Sequence, residues 1–297
     1  MKFRFLKRIR HLAEGAFVGL AFIFFHYILP PKQSLALGGW IGRHFGPLLP
    51  WSKRAKRNLK KCFPGITQVE IKGIIKEMWE NFGLLAAEYA SPDTFWDGKK
   101  LYNIEIVGLE NLENFQNDQK PGIIFTAHTG NWQMITLAAQ SIGFDLTQMY
   151  RPANNPFVDR LMLKCQKLAV KNVITKRKGG PRDLFSLIKR GEHALLLIDQ
   201  KLGEGLSIPF LGREAMTATG VARMYLNQGC PLLPARSERL HRTSRFRVTF
   251  YPPINYVPRG NHNKDMYDLL LSINTMIGEW IKERPGQWLW LHRRWKD

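Results

Sequence analysis

Apolar positions divide the chain into a helical first third and a body in which strands alternate with helices. Residues 16–29 are apolar apart from His26 and stop at Pro30-Pro31. That run is shorter than the ~20 residues of a comfortable spanning helix, although 12–29 reaches it with snorkelling ends. Residues 32 to about 90 read as helical, punctuated by Pro47, Pro50 and the turn Phe63-Pro64-Gly65. Thr67 with Glu70 three later is a capping-box signature for a helix carrying Ile71, Ile74, Ile75, Met78 and Trp79. Strands are then expected at 103–107, 122–127, 144–150, 173–175, 194–198, 231–236 and 245–251, with helices at 131–140, 156–170, 181–190, 217–227 and 264–283. Strands alternating with helices at this spacing predict an α/β fold. Its mostly parallel central sheet is flanked by helices and preceded by an N-terminal hydrophobic membrane helix. The expected division is an anchor over 1–31 and one domain over 32–297.

Charge changes this picture most. The 297 residues hold 44 Lys and Arg against 24 acidic residues, a formal charge of +20, which predicts an anionic partner. Basic residues flank the N-terminal apolar run on both sides, five before it and Lys53, Arg54, Lys56, Arg57, Lys60 and Lys61 after it. The positive-inside rule therefore sets no orientation. Both flanks on one leaflet would leave the segment lying in or dipping into the membrane. No small-x-small cleavage site follows it, so a retained anchor is expected. Cys62, Cys165 and Cys230 are scattered and odd in number, with neither disulfide framework nor metal-ligand spacing, consistent with a reducing compartment.

The candidate chemistry centres on residues 122–134, GIIFTAHTGNWQM. An apolar run ends in His128; Thr129-Gly130 breaks the chain, and Asn131 is a natural N-cap for the next helix. A histidine at the C-terminal end of a buried strand stands where open α/β sheets place ligands. Gln133 lies five positions on, and the break at Thr129-Gly130 allows both side chains to aim at one point. Other strand ends deliver Arg151, a planar fork for phosphate or an oxyanion, and Asp199-Gln200. Asp199 is placed to bind substrate, to orient a histidine or to cap loop amides. Residues 208–217, from Ile208 to Thr217, read as an apolar loop opening a helix whose free amides suit an anion. Trp288, Trp290 and Trp295 with Arg293 and Arg294 have the composition of an interfacial belt, and His292 reads as packed rather than as a second base.

What the sequence lacks narrows the chemistry further. There is no G-x-S-x-G elbow, no P-loop, no well-placed G-x-G-x-x-G and no zinc spacing, which disfavours serine hydrolases, nucleotide enzymes and zinc enzymes. No helix-turn-helix or aromatic RNA platform accompanies the charge, so nucleic acid is not the expected partner. A metal-free transfer with a histidine base remains.

HTGNWQ at 128–133 resembles the H-x-G-N-W-E block of the bacterial lipid A late acyltransferases, the lauroyl and myristoyl transferases of the lysophospholipid acyltransferase type. YRPANNP at 150–156, GGPRDLFSLIKRGEHALLLIDQ at 179–200, PFLGREAMTATG at 209–220 and QWLWLHRRWK at 287–296 resemble further blocks of that family, in its order. The resemblance implies transfer of a fatty acyl chain to a hydroxyl of a lipid A precursor at the cytoplasmic face of the bacterial inner membrane. The donor chain would ride on the phosphopantetheine arm of acyl carrier protein, with no other cofactor and no metal. It makes residues 32–297 the acyltransferase domain. His128 would be general base, Gln133 its orienter and Arg151 the stabiliser of negative charge. Asn131, Asn154, Arg182, Asp199, Gln200 and Thr217, within the matching blocks, would be substrate-binding residues. One position departs from the family: Gln133 stands where it has Asp or Glu. An amide carbonyl can accept the ring N–H but supplies no charge. Three readings stay open: a working Gln orienter with charge from Asp199, a slower enzyme or one with a changed acceptor such as another phospholipid or glycolipid hydroxyl, or a relative that only binds lipid.

Overall fold

The computed structural model describes residues 2–296 except 92, 93, 96, 98, 99, 151, 170, 171, 176–179, 202 and 204. Helix α1 (Lys2–Ile23) runs straight into a π-helical turn, Phe24–Ile28. Within them Arg8–Ile28 is 21 residues long, has a mean hydropathy of 1.4 and is long and apolar enough to cross a membrane. Next come α2 (Pro31–Phe45), α3 (Ser52–Cys62) and α4 (Gln68–Ala90), the last opened by the expected Thr67/Glu70 capping box. Glycine brings α2 and α4 to backbone contact. A Cβ on Gly42 would lie 2.1 Å from the Trp79 carbonyl oxygen, and one on Gly83 2.1 Å from that of Gly38.

The body then follows as β1 (Ile104–Val107), α5 (Leu109–Asn117), β2 (Ile123–Thr126), α6 (Gln133–Gln140), β3 (Thr147–Tyr150), α7 (Pro156–Ala169), β4 (Asn172–Thr175), α8 (Gly180–Lys189) and β5 (Ala194–Leu197). It continues through β6 (Leu206–Phe210), β7 (Arg213–Thr217), α9 (Gly220–Gln228), β8 (Leu232–Leu240), β9 (Arg245–Phe250) and α10 (His262–Glu283). Seven strands form one sheet in the order β1-β9-β8-β2-β5-β3-β4, parallel at every pairing except β8–β9. Strand β2 is buried on both faces. Ile123 and Phe125 join a core with Leu232, Ile273 and Trp280, whereas Ile124 joins another with Ile135, Leu195 and Phe246. An apolar strand with helices on both sides is what a continuous hydrophobic run demands.

Three expectations change. Ile208–Leu211 is not a loop leading to a helix at Thr217: β6 and β7 form an antiparallel hairpin, and α9 starts only at Gly220. Leu211 and Gly212 turn it with φ of 50° and 74°, the paired left-handed geometry that matches strand twist. Helix α5 was not expected. The carboxy-terminal tryptophans are no interfacial belt either, because Trp288, Trp290 and Trp295 are 0%, 0% and 4% exposed.

Candidate active site

Strands β2 and β5 are neighbours in parallel register, with Thr126 opposite Leu197. Two residues beyond that pair, at the shared C-terminal edge, the chain delivers His128 from one strand and Asp199 from the other. The Asp199 carboxylate is fully buried, and both its oxygens accept hydrogen bonds. Its Oδ1 accepts the His128 Nδ1–H at 2.7 Å; Oδ2 accepts the His128 backbone N–H at 2.9 Å and the Trp288 indole N–H at 2.7 Å. A carboxylate only accepts, so the ring proton sits on Nδ1 and the Nε2 lone pair is left for a second partner. That partner is the Gln200 amide, whose Nε2 donates to His128 Nε2 at 3.2 Å. Burial pushes the Asp199 carboxyl up. The His128 and His292 imidazoles and the hydrogen bonds from His128 outweigh it and hold the group well below the usual carboxylate range.

Two aromatic rings stand edge-on to the His128 imidazole, Trp132 at 4.8 Å and His292 at 5.0 Å. Burial, with the neighbouring His128 imidazole and the Arg294 charge, pushes His292 down to about 4 against the pull of Asp199, so it is neutral near pH 7. His292 and Trp288 belong to the carboxy-terminal segment that covers the site. It is tied to the loop after β2 by the Thr129–Trp288 bridge and to β7 by the Ala215–Trp295 bridge. Arg294 of this segment is buried and donates to the Met216 carbonyl at 2.6 Å and to Thr217 Oγ1 at 2.8 Å. Ligand atoms of His128, Asp199 and His292 lie within 4.8 Å of one another. Both Asp199 oxygens already accept N–H donors from His128 and Trp288.

The turn after His128 rests on a buried ionic scaffold. Gly130 takes φ 54°, and a Cβ there would come 2.7 Å from the Ser237 carbonyl oxygen. Its N–H donates to the Gln287 carbonyl at 3.1 Å. Asn131 Nδ2 donates to Glu88 Oε2 at 3.0 Å, and Glu88 pairs with Arg239, whose Nε donates to Asn81 Oδ1 at 2.7 Å. Gln287 closes the scaffold, accepting from the Arg239 backbone N–H at 2.9 Å and donating to the Arg239 carbonyl at 2.8 Å.

The structure therefore redistributes the expected roles. Gln133 is not the partner of the imidazole: it begins α6, is 5% exposed, and its Nε2 has no hydrogen-bond partner among the described residues. Asp199, from the neighbouring strand, takes the orienting position. Asn131 accepts the Gln133 N–H at 3.1 Å and is bonded into the scaffold, the residue being 1% exposed. Gln200 is at the imidazole. Thr217 is buried, donating to the Ala215 carbonyl and accepting from Asn274 at 3.1 Å and from Arg294. Asn154 and Arg182 are exposed, on the loop after β3 and on α8, and Arg151 lies outside the described residues. Trp132, Trp288 and His292 join the site without having been expected there. The signal for Trp132 was its place in the HTGNWQ block, and that for Trp288 and His292 the clustering of tryptophan and histidine in the last of the resembling blocks.

Similarity to known proteins extends over the whole of this architecture. Residues 2–297 match the family model of the bacterial lipid A biosynthesis acyltransferases. The chain is 25% identical over 285 residues to the lipid A biosynthesis palmitoleoyltransferase of Escherichia coli K12, covering 94% of this chain and 90% of that protein. It is 25% identical over 253 residues to the lipid A biosynthesis lauroyltransferase of the same organism, covering 82% and 79%. A lipid A biosynthesis acyltransferase of Haemophilus influenzae is 24% identical over 283 residues, covering 93% and 85%. With a family match from residue 2 to residue 297, this chain belongs to the bacterial lipid A biosynthesis acyltransferases.

Proposed function

We propose that this acyltransferase moves a fatty acyl chain from the thioester of acyl carrier protein to a hydroxyl of a lipid A precursor, with His128 as general base. The observation that carries this reading is the His128–Asp199 pair at the edge of the sheet. The acceptor hydroxyl takes the place of the Gln200 amide at His128 Nε2 and gives up its proton as its oxygen attacks the thioester carbonyl. Asp199 fixes the tautomer and stabilises the imidazolium that forms. Collapse of the tetrahedral intermediate breaks the carbon–sulfur bond, and the imidazolium returns its proton to the leaving thiolate. The ester and the free thiol are the products. No metal or further cofactor enters. Asp199 supplies the negative charge that Gln133 does not, which favours an active enzyme over a relative that only binds lipid.

The +20 charge suits an acidic carrier protein and a phosphorylated lipid. The apolar stretch Arg8–Ile28 would hold the enzyme at the bacterial inner membrane, with its catalytic domain on the cytoplasmic side. The test is acyl transfer by membranes carrying the protein, supplied with acyl carrier protein loaded with mixed chain lengths and a tetra-acylated lipid A precursor. Wild type should transfer and His128→Ala should not. Equal activity in both would overturn the base assignment. Transfer only to other phospholipid or glycolipid hydroxyls would replace the acceptor.

A further inference from the structure

Tight packing of α2 on α4 has a second effect. Gly38, Gly39 and Gly42 line the inner side of α2, which turns the bulky residues of the same helix outward. Trp40, Ile41 and Phe45 are 52%, 40% and 53% exposed; Leu48, Leu49 and Trp51, in the turn that follows, are 78%, 38% and 55% exposed. At 100° per residue, Trp40, Ile41 and Phe45 fall within one arc of the helix, and the Trp40 and Phe45 rings meet edge to face at 5.7 Å. Six large apolar side chains on one stretch form an exposed patch of a kind that marks an interaction surface.

Its surroundings say what covers it. Directly after Trp51 comes α3, SKRAKRNLKKC, which has no acidic residue and exposes Lys53, Lys56, Lys60 and Lys61. On the other side α2 follows the apolar stretch Arg8–Ile28, whose last residues Tyr27 and Ile28 are 71% and 64% exposed. Tryptophan beside a lysine fringe, continuous with an apolar helix, has the chemistry of a bilayer interface: indole at headgroup depth, ammonium groups on anionic lipid.

We infer that the outer face of α2 with residues 46–51 is a membrane-docking surface in its own right, seated shallowly in an anionic leaflet. It rests on the reading that Arg8–Ile28 anchors the chain in a membrane, and extends it to the body of the protein. Depth-resolved fluorescence separates the two. The full chain is reconstituted in vesicles of phosphatidylethanolamine and phosphatidylglycerol with a nitrobenzoxadiazole label at Leu20→Cys, Leu48→Cys or Val69→Cys. Labelled wild type corrects for native cysteines, and Val69, 79% exposed on α4, is the control outside the patch. The label at 20 should be quenched by deep nitroxide lipids, that at 48 by shallow nitroxides and not by aqueous iodide, and that at 69 by iodide alone.

Iodide quenching at 48 with deep quenching at 20 overturns the docking surface and leaves the anchor standing. Shallow quenching at 48 with iodide quenching at 20 overturns the anchor and keeps the surface. Protection at 48 from both iodide and lipid quenchers shows that a protein covers the patch, which also overturns the proposal. Replacing phosphatidylglycerol by phosphatidylcholine should raise iodide access at 48 without changing the label at 20. No change at 48 would show that anionic lipid plays no part and overturn that half of the inference.

Discussion

Asp199→Asn changes one atom in the fully buried carboxylate that holds His128. Two of the three donors, the His128 backbone N–H and the Trp288 indole, converge on Oδ2 and demand an oxygen there. The asparagine carbonyl takes that side, so its NH2 faces His128 Nδ1 and can only donate. The ring must then accept at Nδ1 and carry its proton on Nε2, where the proposed base needs a lone pair. Charge is lost as well. An imidazolium and a carboxylate ~4 Å apart at an effective dielectric near 20 attract by about 4 kcal/mol. At about 1.4 kcal/mol per tenfold that is roughly a thousandfold in rate. With the wrong tautomer added, the loss approaches the ~10⁴ seen for the same change in serine proteases. The assay is steady-state transfer from acyl carrier protein to the tetra-acylated acceptor, with thermal melting as a control for folding. We expect kcat to fall by roughly 10³–10⁴, with little change in KM because Asp199 is shielded from solvent. A correctly folded Asp199→Asn enzyme within about tenfold of wild type, about 1.4 kcal/mol, would refute the orienting role.

Gln133→Glu places a carboxylate in the first turn of α6, where the helix dipole tolerates it, but not on the imidazole; kcat should change by less than about tenfold, and a larger rise would return the orienting role to that position. His292 is held at about 4 in the fold against ~6.5 in the unfolded chain, so the unfolded chain binds the proton first. Stability should therefore rise with pH across that window and fall as pH drops from about 6.5 to 4, by up to about 3 kcal/mol from this residue. Melting curves of wild type and His292→Phe should converge in pH dependence above that window and diverge within it; parallel curves throughout would refute the shift. Glu88→Leu or Arg239→Met alone leaves a buried charge without its partner and should cost roughly 3–5 kcal/mol, whereas the two together should cost far less than the sum. A denaturation cycle reads this directly, and additive losses would show that the two residues act separately.

Much of the fold was legible because β2 and β5 announce themselves as short apolar runs, and capping chemistry marks α4 at Thr67 and Glu70. The hairpin β6–β7 was hidden because its turn is Leu211-Gly212: leucine at positive φ carries none of the Asn-Gly or Asp-Gly signal. The tryptophans at 288, 290 and 295 have the same composition whether they line a core or a membrane interface, and only tertiary packing decides. At the site, His128 was legible as a strand-end histidine and Asp199 as a strand-end carboxylate. Their pairing stood only as one of several uses for Asp199, because it depends on β2 and β5 being adjacent in the sheet although 71 positions separate the two residues. Sequence proximity favoured Gln133 instead. Parallel strands reverse that preference, since equivalent ends of neighbours meet however far apart they lie in the chain.

The carboxy-terminal segment has a consequence for the order in which the enzyme comes into being. Trp288 and His292 follow every strand and long helix in the chain, yet the one holds Asp199 and the other walls His128. A protein is made from its N-terminus and its parts fold as they emerge. The apolar helix α1 leaves the ribosome ahead of the sheet, and the sheet can assemble before the segment that completes its edge has emerged. A chain that has emerged only as far as α10 thus carries His128 and Asp199 without the segment that locks them. The order of the polypeptide thus sets the apolar helix ahead of the sheet and the closing of the site behind it.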